Sequence, residues 1–365
     1  MSTNLQPDRT QGDDQTVPPP PMLPAEPTRW ARFKEQASFR NVSGLYIIAI
    51  MIAVFWYHEP HTFMTMLSWK LLLDQQAIAA IIAVTVCVPL SAGVIDLAVG
   101  TEVGLGTVVV AWLIADKSLS VPLAFALTLV AGAFVGVVIT MLVTKARINS
   151  FIATLAMSSI LLAVISWISG EPIPVAVNGF STIANGELFG LVYPVYYAAG
   201  VSLFIWYALE HTSFGRRVYA TGANPEAARL AGIRTSRVIL GATITCGVLT
   251  GFAGIITASQ LSTGDPTISS GFLLPAFAAA FLGSTQFKRG RFNVPGTLVA
   301  VALLAIGVEG LQLWGAPVWT PNMFDGVVLL LAVGFAQLQR SPTKRTAAIR
   351  RVLRSLRPRD RRAEA

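Results

Sequence analysis

Apolar runs separated by short polar or glycine/proline punctuation recur from residue 41 to residue 339 of this chain. Crossing a hydrocarbon layer as a helix takes about 20 apolar residues. By that measure ten spans are expected, at 41–57, 70–90, 98–115, 121–143, 150–168, 188–209, 238–257, 271–287, 295–313 and 322–339, the first of them short. The pattern predicts an all-α, polytopic membrane protein. Its transmembrane body covers 41–339, with a disordered Pro-rich and basic tail at 1–40 and a second basic tail at 340–365. A largely polar, Pro-rich stretch of 40 residues precedes the first apolar run and no small-residue cleavage site follows it, so a cleavable leader is not expected.

Composition agrees. Of the 365 residues 53% are hydrophobic and 13% charged, whereas a soluble domain carries roughly 25% charged residues. The net charge of +8 changes the picture only through its placement. With ten crossings and the N-terminus inside, 25 of the 27 Lys and Arg fall on the cytoplasmic side, leaving Lys70 and Lys117 outside. That asymmetry follows the positive-inside rule and places both termini in the cytoplasm. The basic tail lacks the interleaved aromatics of a nucleic-acid arm and reads as a lipid-facing anchor.

One charged segment breaks the apolar pattern. Residues 210–238 carry Arg216, Arg217, Arg229, Arg234 and Arg237 around Asn224-Pro225-Glu226-Ala227-Ala228-Arg229-Leu230-Ala231-Gly232. Asn224 suits a helix cap, Pro225 the first helical position, Glu226 the positive end, Arg229 the negative end and Gly232 the stop. A helix of about two turns is not stable alone in water. Exposed between spans, it is expected to dock on a separate motor protein.

The second unusual stretch runs from Pro89 to Glu102, with Pro89, Gly93 and Gly100 as breakers and Asp96 and Glu102 as carboxylates at membrane depth. Ionisable groups there face a cavity or cap a helix. Asp96 stands where a helix beginning near Leu97 would take its cap, so capping and a pathway role are both open, and Ser91 belongs to the same stretch. Arg147 to Thr154 reads as a tight turn into the fifth span, with Asn149 or Ser150 as cap and Asn149 and Thr154 as candidate solute contacts. Glu309, between Gly307 and Gly310, is a further pathway candidate. Trp167, Trp314 and Trp319 suit an interfacial belt.

Enzymatic chemistry finds no support. There are three histidines, and Cys87 and Cys246 have no Cys or His at ligand spacing, so neither a metal nor a cofactor is expected. No G-x-x-x-x-G-K-[ST] phosphate loop occurs, so the chain brings no ATP site of that kind. An ion-coupled carrier working alone is the rival, with Asp96, Glu102 and Glu309 as its evidence.

Ser91-Ala92-Gly93-Val94-Ile95-Asp96-Leu97-Ala98-Val99-Gly100 and Phe214-Gly215-Arg216-Arg217-Val218-Tyr219-Ala220-Thr221-Gly222-Ala223-Asn224-Pro225-Glu226-Ala227-Ala228-Arg229-Leu230-Ala231-Gly232-Ile233 resemble the permeases of ribose/branched-chain-amino-acid type ABC importers. Phe151 to Leu155 and Asn293 to Thr297 add to the likeness, which spans about 45–338 and is closest to the ribose-type branch. The resemblance implies a homodimer or a pair with a similar permease subunit, two cytoplasmic ATPase subunits, and a periplasmic or lipid-anchored solute-binding protein. It also implies that Glu226, Ala227, Ala228 and Arg229 sit in a cleft of the ATPase, and that the solute is a simple sugar or sugar-like polyol, with an amino acid as the alternative.

Overall fold

The apolar runs become helices in the computed structural model, which describes residues 43–340 apart from 62, 64 and 289. The tails expected at 1–40 and beyond Arg340 lie outside the described residues. First come α1 (Ser43–His58), α2 (Met66–Ser91), α3 (Val99–Ala115), α4 (Val121–Thr140, continued by a π-helical turn Met141–Lys145) and α5 (Ser150–Ile168). A short irregular region holds β1 (Ile173–Pro174), α6 (Thr182–Asn185), β2 (Glu187–Leu188) and β3 (Leu191–Val192). Then follow α7 (Tyr193–His211), α8 (Ser213–Ala223), α9 (Pro225–Leu230), α10 (Thr235–Leu261) and β4 (Thr263–Gly264). After a 3-10 turn (Pro266–Ser270) the chain ends its described part with α11 (Leu273–Ser284), α12 (Val294–Leu313) and α13 (Thr320–Arg340).

Among the described residues, six segments are long and apolar enough to cross a membrane: Met66–Ser91, Val121–Lys145, Ser150–Ile168, Thr235–Leu261, Pro266–Ser284 and Val294–Leu313. Gly44–His58, Val99–Ala115 and Thr320–Gly334 are apolar but shorter. The protein is therefore a helical, polytopic membrane protein. The helix expected from 188 opens only at Tyr193, because Glu187 pairs with Val192 and Leu188 with Leu191 in a small hairpin. An apolar count does not register that turn chemistry.

α10 is the hub and packs along α4, α3 and α2. Its seam with α4 is built on small residues. A Cβ at Gly132 would lie 2.0 Å from the Gly247 carbonyl oxygen, and the Thr243 hydroxyl donates to the Gly136 carbonyl at 2.8 Å. Small residues let two backbones approach where lipid offers no hydrophobic drive to bring helices together. α2 is buried on every side from Ala80 to Ser91, as a helix apolar all round should be. α4 and α5 instead turn Leu127, Val130, Phe134, Ile152, Leu155 and Ile160 outward.

The two ends of the bundle differ. At one, β1 pairs antiparallel with β4, Ile173 opposite Gly264 and Pro174 opposite Thr263, and the Ser259 hydroxyl donates to the Phe180 carbonyl at 2.6 Å. At the other lie α8, α9, the loop 92–98 between α2 and α3, and the turn 285–293 between α11 and α12.

Candidate functional site

The charged segment folds as an arm of two helices. α8 is held at its start by Thr212, whose hydroxyl accepts from Gly215 N at 3.3 Å. Gly215, Val218 and Thr221 face inward while Arg216 and Arg217 face out. That inward spacing of three is a helical signal in the sequence, unread because the arginines dominate the stretch. In α9 the Asn224 side chain accepts from Glu226 N and Ala227 N, each at 3.1 Å, and Pro225 opens the helix. Gly232 takes a φ of +82°, which ends α9 and which an L side chain would strain.

Around α9, Glu226 and Arg229 form an ion pair with side chains 77% and 57% exposed. Such a pair contributes little to folding and leaves both charges free to meet a partner. Ala228 is turned into the body and buried, so it does not share the exposed face with Glu226, Ala227 and Arg229. The large apolar residue on the exposed face is Leu230, 91% accessible.

The arm meets the body at two places. Gly222 packs backbone to backbone on the end of α2: a Cβ there would lie 2.1 Å from the Ser91 carbonyl oxygen and 3.0 Å from Gly93 N. Gly93 itself holds a φ of +83° with Gly222 Cα only 3.3 Å from where its own Cβ would be. On its other flank α8 presents Tyr219, whose hydroxyl donates to the Phe292 carbonyl at 2.8 Å while the Arg291 guanidinium stacks on its ring at 3.9 Å. Burial, reinforced by the nearby Glu210 carboxylate and opposed by Arg291, holds the Tyr219 phenol above its usual range, so it stays a donor. Lys288, on the same turn, pairs with Glu210 at the end of α7. Between the two contacts opens a cavity of about 990 Å³ whose lining includes Ser91, Gly93, Tyr219, Gly222 and Arg291.

Behind this lies the polar break. Pro89 sits in the last turn of α2 and Gly100 in the first turn of α3, so of the three expected breakers only Gly93 lies between helices. Gly100 has another role: a Cβ would lie 2.6 Å from the Ser269 carbonyl oxygen, so α3 and the 3-10 turn need it small. α3 begins at Val99 rather than near Leu97, and Asp96 Oδ1 accepts from Ala98 N at 3.1 Å just ahead of it. α5 supplies the rest of the support. Thr154 Oγ1 accepts from Leu97 N at 3.0 Å, Ser150 Oγ from Ile95 N at 3.3 Å, and Asn149 caps α5 through Phe151 N at 2.9 Å. Thr154 thus holds backbone in place.

Glu102 reaches α10, where Thr250 Oγ1 donates to its Oε2 at 2.7 Å. Asp96 and Glu102 are 1% and 2% exposed, and Asp96 Oδ2 and Glu102 Oε1 have no hydrogen-bond partner. Cys246 joins them, with one donor atom from each of the three within 4.8 Å of the others. Chemically this is a pocket for positive charge, as a shared proton or a cation. Glu309 is not part of it. It is half-buried on α12, and its flanking glycines make room for Phe324 and Phe55. Asp96→Asn and Glu102→Gln keep the acceptors for Ala98 N and Thr250 and remove one of two carboxyl groups buried side by side. Each variant is expected to unfold at or above the wild-type midpoint, by up to about 3 kcal/mol; a clear fall in the detergent melting curve would mean the negative charge is itself required.

A helical membrane body with a supported polar break and a projecting charged arm is the build of a transport permease. The chain belongs to the family described as the branched-chain amino acid transport system, permease component, which matches residues 71–333. It is 33% identical over 310 residues to the ribose import permease protein RbsC of Escherichia coli (strain K12), covering 83% of this chain and 95% of that one. With the L-arabinose ABC transporter permease protein AraH of Azospirillum brasilense it shares 32% over 303 residues, 82% of this chain and 89% of the relative. With the galactose/methyl galactoside import permease protein MglC of Escherichia coli (strain K12) it shares 26% over 331 residues, 85% and 98% of the two chains. No solved structure matches the chain.

Proposed function

We propose that this chain is the membrane-spanning subunit of an ATP-driven importer for a simple sugar or sugar-like polyol. The observation that carries the reading is α9, a capped helix of six residues that projects an ion pair and an exposed leucine from a membrane body. Relatives named for ribose, L-arabinose and galactose favour a sugar over an amino acid. Taking α7 as a crossing beside the nine apolar helices gives ten, with the N-terminus inside and the arm in the cytoplasm, in keeping with the cation asymmetry. There the arm meets an ATPase subunit. A second permease subunit shares the pathway, and a solute-binding protein delivers the sugar on the opposite face. ATP-driven closure of the ATPase pair moves the arms as levers, and the helices rock between outward and inward access.

The buried pair Asp96 and Glu102 favours a second reading, an ion-coupled carrier that needs no ATPase. Reconstitution separates them. Liposomes holding this chain with an ABC ATPase subunit and a sugar-binding protein from the same organism are expected to take up radiolabelled ribose, arabinose or galactose only when ATP is present. Uptake that persists without the ATPase, driven by an ion gradient, would replace the first reading with the second.

A further inference from the structure

The geometry points to Tyr219 as a positioning residue: the joint through which movement of the arm reaches the α11–α12 hairpin. The inference rests on the reading of α9 as the seat for an ATPase subunit. It begins with the turn 285–293, which is internally tied. The Asn293 amide donates to the carbonyls of Gly283, Gln286 and Arg291 at 3.2, 3.1 and 3.0 Å, and its Oδ1 accepts from Gly296 N at 2.8 Å. Asn293 is 1% exposed, so these bonds are shielded from water. A turn knotted in this way moves as one piece with α11 and α12.

The Tyr219 side chain grips that piece twice, by the hydroxyl on Phe292 O and by the ring under Arg291. Phe292 is itself anchored, buried and edge-on to Phe281 at 5.4 Å. α8 also touches the end of α2, through the small-residue contact of Gly222 with Ser91 and Gly93 and through Val218, buried among Val84, Val88 and Ala92. Those are contacts of shape and apolar packing. The cavity of about 990 Å³ opens between those contacts and the Tyr219 grip. Pulling α8 therefore drags α11 and α12 through Tyr219.

The test uses the whole importer in liposomes. Spin labels are placed at Ala231→Cys on the arm and Phe287→Cys on the turn, each measured against Leu127→Cys on α4; native Cys87 and Cys246 are buried and stay unlabelled. In the otherwise wild-type complex, ATP with vanadate is expected to shift both distances. Tyr219→Phe keeps the ring and the Arg291 stack but loses the bond to Phe292 O. The arm should still move and ATPase co-purification should be unchanged, while the fraction of turns following the arm falls roughly tenfold, as for loss of one partly buried hydrogen bond. Tyr219→Ala should lower it further, and where that variant does not assemble Tyr219→Phe decides alone. A turn that follows the arm as fully in Tyr219→Phe as in wild type overturns the joint and leaves the coupling reading standing. Failure of both labels to shift in the wild type removes the coupling reading and this inference with it.

Discussion

Leu230→Asp is expected to leave the permease inserted and folded but unable to hold its ATPase partner. Leu230 is 91% exposed and is not part of the core, so the free permease loses nothing by its replacement. Burying a leucine at an interface contributes about 1.5–3 kcal/mol. An aspartate in the same pocket adds the cost of an unpaired carboxylate. Together these amount to at least about 3 kcal/mol, or a weakening of more than roughly 100-fold in Kd. The measurement is titration of the detergent-solubilised permease with the purified ATPase subunit. A double exchange of Glu226 and Arg229 to Ala tests the polar half of the same face, and should also stop uptake. Retained affinity in Leu230→Asp would mean that the arm's tip is not the contact.

The second large effect belongs to Gly222. A valine there would drive its Cβ into the Ser91 carbonyl oxygen, 2.1 Å away, and against Gly93 N at 3.0 Å. Both neighbours are main chain and cannot rotate aside, so the arm must lift off the end of α2. Overpacking of flexible side chains costs about 1–3 kcal/mol, and a rigid backbone clash lies at or above the top of that range. Gly222→Val is therefore expected to depress the melting midpoint and to abolish uptake even where the protein still reaches the membrane. Adding Ser91→Gly should not restore either, because the obstructing atom is the peptide carbonyl. Rescue by that second change would show that the arm is spaced by side chains instead.

How much of this was legible in the sequence depends on the distance over which each feature is decided. Helix α9 is a local matter. Asn224, Pro225, Glu226 and Gly232 satisfy its ends within nine residues, so cap, start and stop could be read directly. The direction in which that helix turns its faces is not local, which is why Ala228 went inward and Leu230 outward without warning. The break at 92–98 was visible as a polar interruption, yet its support came from Thr154 and Ser150 on another helix, and Cys246 joined Asp96 and Glu102 from α10. An isolated cysteine in an apolar run carries no sign of such company. Tyr219 was equally silent, because its partners Phe292 and Arg291 lie more than 70 residues ahead. The span boundaries failed where hairpin chemistry at 187–192 replaced helix, since hydropathy does not encode pairing.

The ribbon of β1 with β4 has a bearing on assembly order. Its two strands are separated by 90 residues of chain, as between Ile173 and Thr263, and everything from α6 through α10 lies between them. Closing so long a segment is entropically opposed until other contacts hold its ends together. During synthesis β1 must consequently wait, dangling and unmatched, until the ribosome has released Gly264. Truncation just before that residue should leave β1 open to protease, whereas truncation shortly after it should shield the strand.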